Sequence, residues 1–168
     1  MSEQNIEVDE INNVIGLRPR EDFYTGKYIH RSVGLILFNS QNQILLQKRV
    51  PTKIWYPNLY TFSVAGTVAN ESYEECMKKE MREEIGLEIQ VAKLFVFSFF
   101  DQLDKAFHAI FTGKSDEKIR FDEREATSVK WIDAEELKND IEKNPNIYTP
   151  PTRKGLGIYF NDFYKAKI

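Results

Sequence analysis

The stretch KKEMREEIGL, residues 78–87, sets Glu80, Glu83 and Glu84 close together in what reads as a helix. On a wheel of about 100° per residue, Glu74, Glu75, Lys78, Lys79 and Arg82 share one broad polar face. Tyr73, Cys76, Met77 and Met81 lie opposite, with Glu80 and Glu84 inside that apolar stripe and Glu83 at its edge. Burying a lone carboxylate is costly, and like charges one turn apart repel. No basic residue occupies that face to neutralise them. Hard oxygen donors at this density suit Mg²⁺, or Mn²⁺ in its place, and Mg²⁺ keeps several waters while also meeting substrate phosphates. The expectation is an inward-pointing trio of acids gathered by a divalent cation.

The elements that must hold this helix, residues 72–85, can be read on either side of it. IEVDEINNVIG suggests a small hairpin turning at Asn12-Asn13, and RSVGLILFNSQNQILLQKR a second one turning at Asn39–Asn42. LYTFSVAGTV reads as one strand ending near Gly66. Beyond Gly86, LEIQVAKLFVFSFF, AFHAIFTG and TSVKWID are strand-rich. DAEELKNDIEKN reads as a helix with Asp133 as N-cap and Glu136 three residues on. A last helix follows TPPT and runs through GLGIYFNDFYKA. Three helices among hairpin-joined strands predict an α+β fold rather than regular βαβ alternation.

Composition narrows the function classes. With 12 Phe and 8 Tyr in 168 residues the chain can fill a core, and no repeat or linker divides it, so one domain over 1–168 is expected. A net charge of −3 gives no basic footprint for nucleic acid. MSEQNIEVDE lacks the basic start and apolar run of a signal peptide, and LFVFSFF is too short to cross a bilayer as a helix. The expectation is a cytoplasmic protein without membrane or nucleic-acid partners. The lone Cys76 can form no internal disulfide and suits a small buried core residue. His30 and His108, in apolar strand context, read as satisfied structural histidines.

AGTVANESYEECMKKEMREEIGLEI, residues 65–89, resembles the signature of the Nudix hydrolases: Gly, five residues, Glu, seven residues, Arg-Glu-aliphatic-any-Glu-Glu-any-Gly-aliphatic. Glu71, Glu80, Met81, Glu83, Glu84, Gly86 and Leu87 match, with the signature spanning 65–87. Ala65 replaces the first Gly, and Lys79 replaces the Arg, losing a fork that could grip Glu71 bidentately. The flanking IHRSVGLILFNSQNQILLQKRVPTKIWYPNLYTFSVAG and YTPPTRKGLGIYFNDFY are similar to the branch containing type I isopentenyl-diphosphate isomerase and its hydrolase relatives.

The resemblance implies an α/β/α sandwich around a mixed sheet, and an enzyme hydrolysing a diphosphate linkage in a nucleoside diphosphate-X type substrate. It implies Glu80 and Glu84 as Mg²⁺ ligands, with Glu83 a further ligand or the residue that polarises water. Glu71 would orient the helix. The general base stays open among Glu125, Glu123 and Glu83. Arg49 and Lys53 match basic residues that contact diphosphate in the isomerase branch, and Trp55, Tyr56 and Tyr60 either face a ligand or cap the core. Two alternatives compete. An isomerase would need a Cys and a His where Ala65 and Thr67 stand, and an acidic pair where Asp104 and Ala106 stand. A non-catalytic nucleotide-binding module would have lost the acids. The partner implied is a small diphosphate-bearing molecule, with a homodimer left open.

Overall fold

The run VGLILF, residues 33–38, is apolar on both sides of its alternation, which a strand tolerates only when both faces are covered. In the structure, a computed structural model describing residues 2–165, it forms most of β3 (Ile29–Phe38). Val33, Leu35 and Leu37 pack with Val64 and with Met77, Met81 and Ile85 of α2 (Tyr73–Ile85). Ile36 packs into a second core with Leu137 of α3 (Ala134–Lys143) and Leu156 and Phe160 of α4 (Pro150–Asp162). One sheet thus lies between α2 on one face and α3 with α4 on the other: the α/β/α sandwich, of class α+β.

The sheet is mixed and curled. β3 runs parallel to β8 (Lys105–Lys114) along its length, from His30↔Ala106 to Phe38↔Lys114. β7 (Ala92–Phe100) pairs antiparallel with β8 outside it. On its other edge β3 meets β1 (Gln4–Val8), whose hairpin partner is β2 (Val14–Pro19), with Asn12 at positive φ in the turn as the Asn-Asn signal predicts. β4 (Gln43–Arg49) pairs along its length with β9 (Ala126–Asp133).

The hairpin of β3 and β4 holds for a single pair, Phe38↔Ile44, and then the strands part. Residues 60–67 enter the fork, and the one strand expected there is two. β5 (Tyr60–Thr61) pairs with β4, and β6 (Val64–Thr67) with β3. Ser63 stitches the junction: its N–H donates to Leu35 O, its Oγ accepts from Leu37 N–H at 2.9 Å, and its hydroxyl donates to Leu45 O at 2.7 Å. Propensity marks the segment as extended but carries no information on which neighbour it leaves.

Helix ends follow local chemistry. α2 starts with a capping box between Ser72 and Glu75 and ends at Gly86 with φ +69°. Asp133 caps α3 by accepting from the amides of Glu135 and Glu136. There are four α-helices rather than three among the described residues, because α1 (Arg20–Phe23) is too short to show a period in sequence. α4 stops at Asp162, short of the expected end, and Ala166 lies outside the described residues.

Candidate active site

α2 and the fork between β3 and β4 meet at a cleft of about 420 Å³. Glu84 lies at its floor, only 4% exposed. One carboxylate oxygen accepts from Ala65 N–H at 3.1 Å and Gln47 Nε2 at 3.0 Å, and the same Gln47 nitrogen donates to Ser63 O at 2.7 Å. Burial, then the neighbouring Glu80, pushes the Glu84 carboxyl up to about 8, with the two hydrogen bonds offsetting only part. Glu80 is pushed up to about 7, first by burial, with Lys79 opposing and Glu83 and Glu125 adding repulsion. Its side chain lies against Gly66, where a Cβ would stand 2.4 Å from Glu80 Cγ, so the close approach itself requires glycine. Ala65 sits in β6 without positive φ, and the change from glycine there imposes no backbone strain.

The edge position that the wheel gives Glu83 becomes the rim of the cleft, exposed, so the acids are not an inward-pointing trio; the residue the wheel of an isolated helix misplaces is Lys79. Lys79 is half-buried and faces the cleft instead of the polar side: its Nζ is 2.7 Å from Glu71 and 3.9 Å from Glu80. A cation therefore does stand beside the acids, but its close contact is with Glu71. Glu71 also accepts from Ala69 N–H at 3.3 Å and so links the loop to the helix.

Among the described residues, no three His, Cys, Asp or Glu side chains converge enough to enclose an ion by themselves. The donor chemistry nevertheless fits Mg²⁺. Glu80 and Glu84 are oxygen donors, Glu80 with only the 3.9 Å approach of Lys79 and Glu84 with no ion pair among the described residues, and this ion typically takes one or two carboxylates with waters and phosphate oxygens.

Basic groups line the same cleft. Arg49 donates Nε–H to Trp55 O at 3.0 Å, while the terminal nitrogens of its guanidinium have no protein partner among the described residues. Burial lowers its pKa, and Glu84 and Glu125 oppose this. Lys53 is ion-paired to Glu125, so two residues expected to act separately are partners here. Backbone bonds hold Glu125 in place: Asp122 N–H donates to Glu84 O at 2.9 Å, and Val50 N–H to Glu125 O at 3.2 Å. Glu123 is exposed and does not line the cleft.

An aromatic wall completes the cleft. Trp55 stacks on His30 at 5.0 Å and 8°, and Tyr24 meets Trp55 edge-on at 4.7 Å. Tyr56 also lines the wall, whereas Tyr60 lies outside it with Lys130 Nζ 4.3 Å from its ring. His30 is satisfied as expected, with Nε2 2.7 Å from the buried carboxylate of Asp104. His108 departs from expectation: its buried Nε2 has no hydrogen-bond partner, and burial lowers the ring to about 4, leaving it neutral at pH 7. Cys76 is fully buried, its thiol pushed up by burial.

Sequence reasoning missed Gln47, the His30–Asp104 pair and Tyr24. Gln47 carried a signal, a polar residue inside the apolar run of QILLQKR. His30 and Asp104 are 74 residues apart in the chain, and Tyr24 caps the end of a helix too short to be foreseen.

The NUDIX domain family model matches residues 28–150. A prenyl-diphosphate phosphatase of Methanosarcina mazei is 48% identical over 160 residues, covering 93% of this chain and 94% of that protein. An isopentenyl-diphosphate Delta-isomerase 2 of Aromatoleum aromaticum is 26% identical over 155 residues, covering 89% and 82%. A crystal structure of a Deinococcus radiodurans protein superposes with TM-score 0.79 at 27% identity, covering 92% of this chain and 98% of that one. The signature helix, the sandwich that carries it and these matches place the chain in the Nudix hydrolase family.

Proposed function

We propose that the chain hydrolyses the phosphoanhydride bond of a prenyl diphosphate, giving the prenyl monophosphate and inorganic phosphate, with Mg²⁺ (or Mn²⁺) held at the acids. One observation carries this reading. A single cleft joins buried carboxyls and a guanidinium with free nitrogens to a wall of Tyr24, Trp55 and Ile54, the layout of a diphosphate joined to an apolar group. The name of the Methanosarcina mazei relative supports the substrate class.

Glu80 and Glu84 would hold the ion, with Glu83 reaching from the rim as a further ligand or to polarise water. When bound, the ion lowers the pKa of water and neutralises phosphate charge. Arg49 offers its free fork to phosphate oxygens. Lys53 is shared: phosphate oxygens compete with Glu125 for its ammonium, and the carboxylate so released takes the proton of the attacking water. Glu83 is the alternative base, whereas the exposed position of Glu123 weighs against it. Lys79 holds Glu71, and through it the loop that carries Gly66 against Glu80.

A second reading takes a nucleoside diphosphate-linked substrate, whose base would stack on Trp55. Ala65 and Thr67 at the cleft, and a buried Cys76, speak against the isomerase. The retained acids speak against a non-catalytic module. We extend the domain to 1–168, since Ile6 and Val8 before the matched residues, and Leu156 and Phe160 after them, belong to the same two cores. A small phosphorylated substrate is consistent with a cytoplasmic enzyme, and no helix among the described residues is long and apolar enough to cross a membrane.

The test is phosphate release from isopentenyl diphosphate, farnesyl diphosphate, ADP-ribose and a dinucleoside polyphosphate, with and without Mg²⁺. Prenyl diphosphates should be turned over only with the ion, and Glu80→Gln and Glu84→Gln should lose that activity. Equal turnover by both variants would show that these carboxylates are not the ligands.

A further inference from the structure

Ile54 lines the cleft, and Leu103 stands on the adjoining loop, its carbonyl bound by Trp55. Ile54 is 64% exposed and Leu103 58% exposed. Exposed aliphatic residues are ordinary when scattered, but these belong to two loops that are bound to each other beside the cleft. Trp55 Nε1–H donates to Leu103 O at 2.9 Å, and the Tyr56 hydroxyl donates to Asp101 at 2.8 Å. The loops spend their polar groups on one another and leave Ile54 and Leu103 facing water. Tyr24 continues the surface against Trp55, and beyond it the Arg20–Glu3 ion pair, at 2.9 Å, closes the apolar stretch with charges already satisfied.

This rim adjoins the anion-binding end of the cleft. Arg49 bonds the carbonyl of Trp55, and Lys53 precedes Ile54 in the chain. A substrate anchored by its phosphates at Arg49 and Lys53 would direct its organic group toward Trp55 and Ile54, with Leu103 next to them on the loop that Trp55 binds. The two aliphatic side chains offer area and dispersion but no hydrogen bond, so the fitting occupant is saturated or branched hydrocarbon.

We propose that Ile54 and Leu103 form a tail subsite for the isoprene units beyond the first, making geranyl and farnesyl diphosphates better substrates than isopentenyl diphosphate. This deepens the proposed function and rests on it. Burying even part of one added isoprene unit lowers KM about tenfold.

The test compares kcat/KM for isopentenyl, geranyl and farnesyl diphosphates, all below their micelle-forming concentrations, in wild type and in the Ile54→Ser, Leu103→Ser double variant. The expected result is a farnesyl-to-isopentenyl ratio of about ten or more in wild type, carried by KM, that collapses toward one in the variant. A merely structural loss would lower all three substrates together and leave the ratio standing, which would overturn the subsite. So would a wild-type KM indifferent to chain length with hydrolysis intact. Absence of hydrolysis for all three, in the presence of Mg²⁺, refutes the proposed function itself.

Discussion

Glu84→Gln should make the metal-free protein more stable while removing its activity. The Glu84 carboxyl is raised from 4.5 to about 8 by burial and by Glu80. At pH 7 the unfolded chain releases this proton readily and the folded chain keeps it. Each unit of difference is worth ~1.4 kcal/mol, so the upper bound at pH 7 is ~3 kcal/mol, and relaxation around the site reduces it to ~1–3 kcal/mol. The sign follows from proton counts: between pH 4.5 and about 8 the native state binds more protons than the unfolded state, so the wild type loses stability as pH rises. Below pH 4.5 the carboxyl is neutral in both states and the contribution vanishes. Gln keeps an acceptor for Gln47 and for the Ala65 amide but has no charge to bury. For a domain of this size the gain corresponds to a Tm higher by ~2–10 °C at pH 7. Urea and thermal melts in EDTA at pH 5, 7 and 8, with phosphate release measured alongside, provide the assay. Mg²⁺ should narrow the gap by stabilising wild type alone. A variant no more stable at pH 8 than wild type, or one whose advantage is the same at pH 5, refutes the electrostatic account of this site.

Gly66→Ala puts a Cβ 2.4 Å from Glu80 Cγ; it should cost ~1–3 kcal/mol in chemical melts and, by displacing a proposed ligand, lower kcat more than it raises substrate KM. Glu125→Gln should reduce kcat by ~10²-fold or more, the usual worth of a positioned base, whereas Glu123→Gln should stay near wild type in the same assay. Lys79→Arg should retain or improve kcat, because the fork can hold Glu71 bidentately, while Lys79→Met should lower both kcat and Tm. A Lys79→Met variant with wild-type kinetics would remove the role assigned to Lys79.

The acids on α2 were legible because Glu80 and Glu84 fall among Cys76, Met77 and Met81, an inconsistency that local pattern exposes. Asp133 was legible as a cap for the same local reason. Lys79 escapes the wheel because side-chain direction near the edge of a helix face is decided by what lies opposite, here Glu71, which no wheel contains. The split of residues 60–67 was hidden because both halves are equally extended and differ only in their neighbours. His108 sits on a strand whose pattern marks it as buried, but whether a partner awaits it depends on other strands. Periodicity reads burial well and pairing poorly.

The fork has a consequence beyond holding strands together. A two-stranded ribbon that zipped from its turn to its ends would present a continuous wall, and a wall has no room for a guest. Here the zipper stops after Phe38 and Ile44, and Ser63 acts as its end stop. The hollow that opens past it is where Gln47 reaches Glu84. Ser63 satisfies the Leu37 amide and the Leu45 carbonyl where the ribbon stops, so the same buried hydroxyl that keeps the sheet sound also keeps the hollow open, and stability and turnover depend together on one side chain.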